Sequence, residues 1–148
     1  MTPVKRIAIL GATGSIGVNC LKVLARLGKG YRVVGLAANR DHARLAAQAR
    51  RFGVRHLALA DPAAAARLRR SLPRARVEGG PDAARMLATE CGADLVVSAM
   101  VGAAGLRPTL AALRSGAHIA LANKEVLVMA GPVVMREAAR RGRAIIPV

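Results

Sequence analysis

Gly11-Ala12-Thr13-Gly14-Ser15-Ile16-Gly17 is the stretch whose residue types and spacing most directly suggest chemistry. It follows a short apolar run and precedes an amphipathic segment. In a strand–turn–helix unit the first glycine permits the tight turn and the second lets a ligand approach the backbone. The third lets the helix pack close to the strand. The N–H groups of residues 14–16 then face the ligand, with the positive end of the helix dipole behind them. Thr13 and Ser15 add hydroxyl donors. A pyrophosphate suits this arrangement. The spacing is G-x-x-G-x-x-G, and no Gly-Lys-Ser/Thr follows, so it is not a P-loop. The competing reading is a ligand-free glycine turn, against which the order strand, turn, helix argues.

Three further groups belong to the same reading. The second apolar strand ends in Asn39-Arg40-Asp41, where a dinucleotide fold distinguishes a ribose hydroxyl from a 2′-phosphate. Arg40 is placed to pair with a phosphate, which points to NADP. Asp41 is the counter-signal, and helix capping explains it better than a ribose contact. Ser98–Gly105 is rich in small residues after a later strand, with Met100 available to pack on a flat ring. A close-packed loop needs the same residues. Asn123-Lys124-Glu125 follows another apolar run, at the strand end where ligands bind in parallel sheets. Here a cap followed by solvated first-turn residues competes with ligand contacts.

Other chemistries find no support. His42, His56 and His118 share no metal-ligand spacing, and no Ser-His-Asp set or catalytic carboxylate pair is visible. Cys20 lies on the expected buried stripe of the first helix, so it reads as packing. Cys20 and Cys91 together read as reduced thiols.

The elements that must carry these residues alternate regularly. Strands are expected at Arg6–Leu10, Arg32–Ala37, His56–Leu59, Arg76–Glu78, Leu95–Ser98, His118–Leu121 and Ala144–Pro147, as short Ile/Val/Leu runs buried on both faces. Helices are expected at Ser15–Leu27, with Ile16, Cys20, Leu24 and Leu27 inward, and at Asp41–Phe52, Pro62–Leu72, Pro81–Cys91, Arg107–Ser115 and Pro132–Arg141. Such alternation implies an α/β, doubly wound, Rossmann-type and mostly parallel sheet of about seven strands, with helices on both faces. It forms one domain over residues 1–148, with no internal repeat or linker.

Composition narrows the partners. The chain has 148 residues, 53% of them apolar, and 24 Lys and Arg against 8 Asp and Glu, a net charge of +16. Its mean hydropathy is +0.32. That is ample for a core and excludes a disordered chain. The longest uncharged stretch, Ile7–Leu21, is too short and polar to span a bilayer, so no membrane partner and a cytoplasmic location are expected. The charge raises nucleic acid, giving a basic nucleic-acid-binding module as an alternative of another class. Base stacking needs aromatic rings, however, and the chain has only Tyr31 and Phe52. The arginines are also scattered, as on a solvated basic surface.

Taken together, Ile9–Gly17, Val101–Leu110 and Leu121–Glu125 resemble the N-terminal domain of the 1-deoxy-D-xylulose 5-phosphate reductoisomerases. The glycine turn is shared with many reductases; the Val-Gly-Ala-Ala-Gly-Leu and Leu-Ala-Asn-Lys-Glu stretches are more specific. The resemblance runs from Arg6 to Val148. It implies NADPH as cofactor, and a divalent metal, Mg or Mn, in the complete enzyme. It also implies rearrangement of 1-deoxy-D-xylulose 5-phosphate and reduction to 2-C-methyl-D-erythritol 4-phosphate, a step of non-mevalonate isoprenoid synthesis, by a homodimer. Thr13, Gly14, Ser15 and Ile16 fall on the pyrophosphate-binding positions. Asn39, Arg40 and Asp41 fall where the family grips the adenosine ribose and its 2′-phosphate. Asn123 and Glu125 fall on cofactor contacts, and Lys124 on a substrate contact.

This chain departs from the family at Asn39, where a Gly is usual, at Asp41, where an Asn is usual, and at Val126, where Ser or Ala is common. It also stops at Pro147-Val148, before the family's metal-ligating Asp and Glu. The chain therefore reads as the cofactor-binding domain without the catalytic and C-terminal domains, inactive alone and with no metal ligand or catalytic residue of its own. The cofactor domain of another NADP-dependent reductase, of semialdehyde dehydrogenase or dihydrodipicolinate reductase type, is the alternative.

Overall fold

Alternate residues of the first strand enter two different apolar layers. Ile7 and Ile9 join one buried cluster, Ala8 and Leu10 the other. A strand apolar on both sides needs helices on both sides, and the remaining elements supply them. The structure, a computed structural model, describes residues 2–148. Its strands are β1 (Lys5–Leu10), β2 (Tyr31–Ala38), β3 (His56–Leu59), β4 (Arg76–Gly79), β5 (Leu95–Ser98), β6 (His118–Leu121) and β7 (Ile145–Pro147). Its helices are α1 (Ser15–Leu27), α2 (His42–Phe52), α3 (Pro62–Ser71), α4 (Ala83–Glu90), α5 (Leu106–Arg114) and α6 (Lys124–Arg141).

The strands form one sheet in the order β4-β3-β2-β1-β5-β6-β7, and every neighbouring pair is parallel. Helices α1, α2 and α3 contribute Leu21, Leu24, Leu45, Ala49 and Leu68 to the first cluster. Helices α4, α5 and α6 contribute Leu87, Leu113, Val126 and Val134 to the second. The chain runs outward from β1 to β4, then returns to the other side of β1 with β5. The strand order therefore reverses between β1 and β5, and at such a point the loops at the carboxyl ends diverge and leave a crevice.

Most expected elements are present within a residue or two. Three expectations need correction. Helix α6 starts at Lys124 and not at Pro132: it is a long helix broken at Ala130 (φ −146°, ψ 30°), two residues before the proline. Proline has no N–H and its ring crowds the carbonyl four residues back, so it marks a kink as readily as a start. Helix α1 buries Gly17, Leu21 and Leu24, while Ile16 and Leu27 are exposed and Cys20 is half-buried. Gly17 packs directly on the backbone of Gly11 and Ala12, and the packing face turns toward it. Helix α4 begins at Ala83, with Pro81 and Asp82 in the preceding turn.

Candidate functional site

The crevice at the strand reversal is a cleft of about 430 Å³. One wall is the glycine turn after β1. Gly11 has φ +89°, a conformation that glycine alone adopts easily. A Cβ there would lie 2.6 Å from the Ala99 carbonyl oxygen, so the turn and the loop after β5 touch backbone to backbone. A Cβ at Gly17 would lie 2.3 Å from the Gly11 carbonyl oxygen, which is why α1 can start directly against the turn. Gly14 is different. A Cβ there would meet nothing closer than 3.6 Å within the protein, and the residue lines the cleft. The space beside it opens to the cleft.

Helix α1 has no side-chain cap. Its first-turn N–H groups, Ser15 and Ile16 among them, have no partner within the helix. The other helices that begin beside the carboxyl ends of β2, β3 and β6 are capped. Asp41 accepts from Arg44 N at 3.1 Å, Asp61 from Ala64 N at 3.0 Å, and Asn123 from Glu125 N at 2.9 Å. The uncapped start of α1, aimed from a cleft-lining glycine, is a seat for an anionic group. Helix α2 braces the turn from outside: Gln48 Nε2 donates to the Ala12 carbonyl at 2.9 Å and Arg44 to the Thr13 carbonyl at 3.3 Å.

The facing wall is built from the two other sequence stretches, joined as one unit. Asn123 is buried, and its amide donates to the carbonyl oxygens of Met100 and Gly102, the latter at 2.9 Å. Gly105 makes room for it, since a Cβ there would lie 2.9 Å from Asn123 Nδ2. Beneath, buried Ser98 and Thr109 share a hydroxyl hydrogen bond of 2.9 Å, tying the end of β5 to α5.

Thr13, Gly14 and Asn39 line the cleft itself, with Met100 across from them. Ser15 and Ile16 are exposed in the first turn of α1, and Arg40 is exposed at the end of β2. Asp41 is the N-cap of α2. Lys124 is exposed and Glu125 half-buried in the first turn of α6, and neither they nor Asn123 are among the residues that line the cleft. Sequence reasoning missed Asp82, Arg85 and Arg107, which line the cleft from the turn before α4, from α4 and from α5. Their signal, an aspartate just before a helix after Gly79-Gly80-Pro81, reads as an ordinary cap.

A second convergence lies on the strand pair β3–β4. The ligand atoms of His56, Glu78 and Glu90 come within 4.8 Å of one another, a group that sequence spacing does not reveal. Arg76 hydrogen-bonds both glutamates there, so a cation already occupies the cluster. Burial, reinforced by Arg76, holds the His56 imidazole below its ordinary pKa despite the nearby Glu78. Cys20 and Cys91 are free, and burial pushes both thiols up, away from nucleophile behaviour. Among the described residues no helix is long and apolar enough to cross a membrane.

A family model described as 1-deoxy-D-xylulose 5-phosphate reductoisomerase matches residues 7–131. The reductoisomerase of Methylococcus capsulatus is 49% identical over 149 aligned positions, covering 97% of this chain and 38% of that protein. The solved Zymomonas mobilis reductoisomerase in complex with NADPH superposes with a TM-score of 0.92 at 38% identity, covering 97% of this chain and 38% of that one. A solved reductoisomerase in complex with NADPH, fosmidomycin and magnesium gives 0.91 at 36% identity, covering 97% and 36%. The chain thus spans little more than a third of the length of the relatives it matches.

Proposed function

The chain belongs to the 1-deoxy-D-xylulose 5-phosphate reductoisomerase family, and on that premise we propose that residues 1–148 form its NADPH-binding domain. The observation that carries the reading is the uncapped start of α1 behind the bare, cleft-lining Gly14. The N–H groups of Ser15 and Ile16, with Thr13 beside them, hold the pyrophosphate. Asn39 and Arg40 take the adenosine ribose and its 2′-phosphate, with Asp41 holding the start of α2 beneath them. Asn123 sets the loop on which the nicotinamide half lies, and Glu125 supports it from the first turn of α6. When bound, the cofactor supplies a hydride. The work of this chain is to fix its orientation and to offer the exposed Lys124 to an anionic sugar phosphate.

The activity of the whole enzyme follows from the resemblance: 1-deoxy-D-xylulose 5-phosphate is rearranged and reduced to 2-C-methyl-D-erythritol 4-phosphate, in the cytoplasm, by a homodimer that uses a divalent metal. The resemblance puts the metal-ligating Asp and Glu outside these 148 residues. The chain alone is therefore expected to bind NADPH and to turn over no substrate. Titration of the purified chain with NADPH, followed by cofactor fluorescence, tests the first point. Gly14→Ala is the sharp variant. The residue has φ −76°, which alanine adopts, so the fold should stay within about 1 kcal/mol while affinity falls at least about tenfold. Equal affinity of variant and parent would overturn the reading, and a steady NADPH-dependent turnover by the chain would overturn the division of labour.

A further inference from the structure

Asp82 stands at the N-cap of α4, yet its side chain accepts no capping hydrogen bond from a backbone N–H of that helix. Asp41, Asp61 and Asn123 all spend their side-chain oxygens on capping. The Asp82 carboxylate turns instead to two arginines. Arg85 Nε donates to its two oxygens at 2.7 and 2.8 Å, a second Arg85 nitrogen also bonds it, and Arg107 Nη2 lies 3.9 Å away. The helix forgoes the stabilisation of a side-chain cap, and the carboxylate is held by arginine side chains instead. It lies on the cleft that Gly14 and Asn39 line.

The rest of this part of the cleft is short and apolar: Ala60, Pro81, Ala84, Ala104 and Pro108. Neither Tyr31 nor Phe52, the chain's two aromatic residues, lines it. A flat heterocycle entering beside Asn39 therefore meets only guanidinium groups as planar, π-compatible partners. Arg107 has the freedom to lie over such a ring, its side chain being 77% exposed and restrained only by Asp82. Asp82 still has acceptor capacity, because an ionised carboxylate offers about four lone-pair positions. Arg85 keeps the carboxyl below its usual range, hence ionised and acceptor-only at neutral pH.

We propose that Asp82, Arg85 and Arg107 read the base of the bound dinucleotide: Asp82 accepts a hydrogen bond from the exocyclic 6-amino group of adenine, Arg107 stacks on the ring face, and Arg85 holds Asp82 in place. This rests on the reading of the cleft as a dinucleotide site. It adds a specificity for the base that neither the glycine turn nor Arg40 supplies.

The test compares NADPH with reduced nicotinamide hypoxanthine dinucleotide phosphate, in which a carbonyl acceptor replaces the 6-amino donor. Binding to the full chain is measured by fluorescence titration. The parent is expected to prefer NADPH by about tenfold, since the analogue leaves Asp82 facing another acceptor. Asp82→Asn presents a donor as well as an acceptor and should erase the preference without unfolding the chain. Arg107→Ala should weaken both dinucleotides by a similar factor of about three to ten, and Arg107→Lys should fail to restore them, because an ammonium keeps the charge and loses the plane. A parent without base preference, a preference that survives Asp82→Asn, or full rescue by Arg107→Lys would each overturn the assignment. Failure to bind either dinucleotide would overturn the dinucleotide reading along with it, whereas binding of both without discrimination removes this inference alone.

Discussion

The two walls of the cleft use the same device, a side-chain amide donating to loop carbonyls, at very different strength. Behind the glycine turn Gln48 makes one such bond, to Ala12, and its Oε1 is buried without a partner. Behind the loop after β5 Asn123 makes two, and its oxygen also accepts from the Glu125 N–H. The difference follows from what the backbone does unaided. The glycine turn is wedged between Ala99 and α1 by close backbone contacts at Gly11 and Gly17. Residues 101–104 have no such wedge: they form a loop and a short 3-10 turn, Gly102–Gly105, with Val101 88% exposed. Where packing of main chain fixes a wall, a clamp is an accessory; where it does not, the clamp makes the wall.

The largest expected effect attacks the wedge. Gly17→Ala forces a Cβ onto backbone atoms of residues 11 and 12, which cannot swing aside. A loss of about 3–4 kcal/mol in urea unfolding is expected, together with dinucleotide binding. Next comes the clamp. Asn123→Ala leaves two loop carbonyls and the Glu125 N–H without their partner and should cost about 2–3 kcal/mol, with faster amide exchange confined to residues 100–105. Gln48→Ala should cost only about 1 kcal/mol; a loss as large as that of Asn123→Ala would break the comparison.

The smallest effect separates the two halves of the sheet by pH. Burial keeps His56, in β3, neutral in the fold, with its pKa below the ordinary value of about 6.5. Its contribution is fully present above that ordinary value and is lost as pH falls through the lowered one, because the unfolded chain takes up the proton first. Amides of β3 and β4 should therefore exchange faster than those of β5 and β6 as pH drops below about 6.5, and His56→Gln should flatten that slope. Asp94 and Asp82 act lower on the scale. Arginines hold both carboxyls below their usual range, so their stabilisation is lost only as pH falls through those depressed values.

Alternation of apolar strands and capped helices was enough to place nearly every element, because both signals are local. The glycine turn was legible for the same reason: three glycines do separate jobs within seven residues, and each job leaves a spacing. The kinked α6 is not, since Pro132 carries the same signal at a first turn and at a break, and the sequence around Asn123 fits a ligand contact or a cap without revealing its third role. That role depends on Met100 and Gly102, more than twenty residues earlier. Asp82, Arg85 and Arg107 are not legible in the sequence, because a cap residue that does not cap is distinguished only by its hydrogen bonds.

The contact between Gly105 and Asn123 has a consequence for how these positions change over generations. An alanine at 105 collides with the amide of Asn123, and a small residue at 123 forfeits the clamp, so each single step descends. Taken together the two changes relieve the collision, and the penalty of Gly105→Ala should shrink once Asn123 has been shortened. Residues 105 and 123 are thus expected to be non-additive, each setting the size of the other's penalty. A library that samples them one at a time will record two intolerant sites, where the molecule has one paired choice.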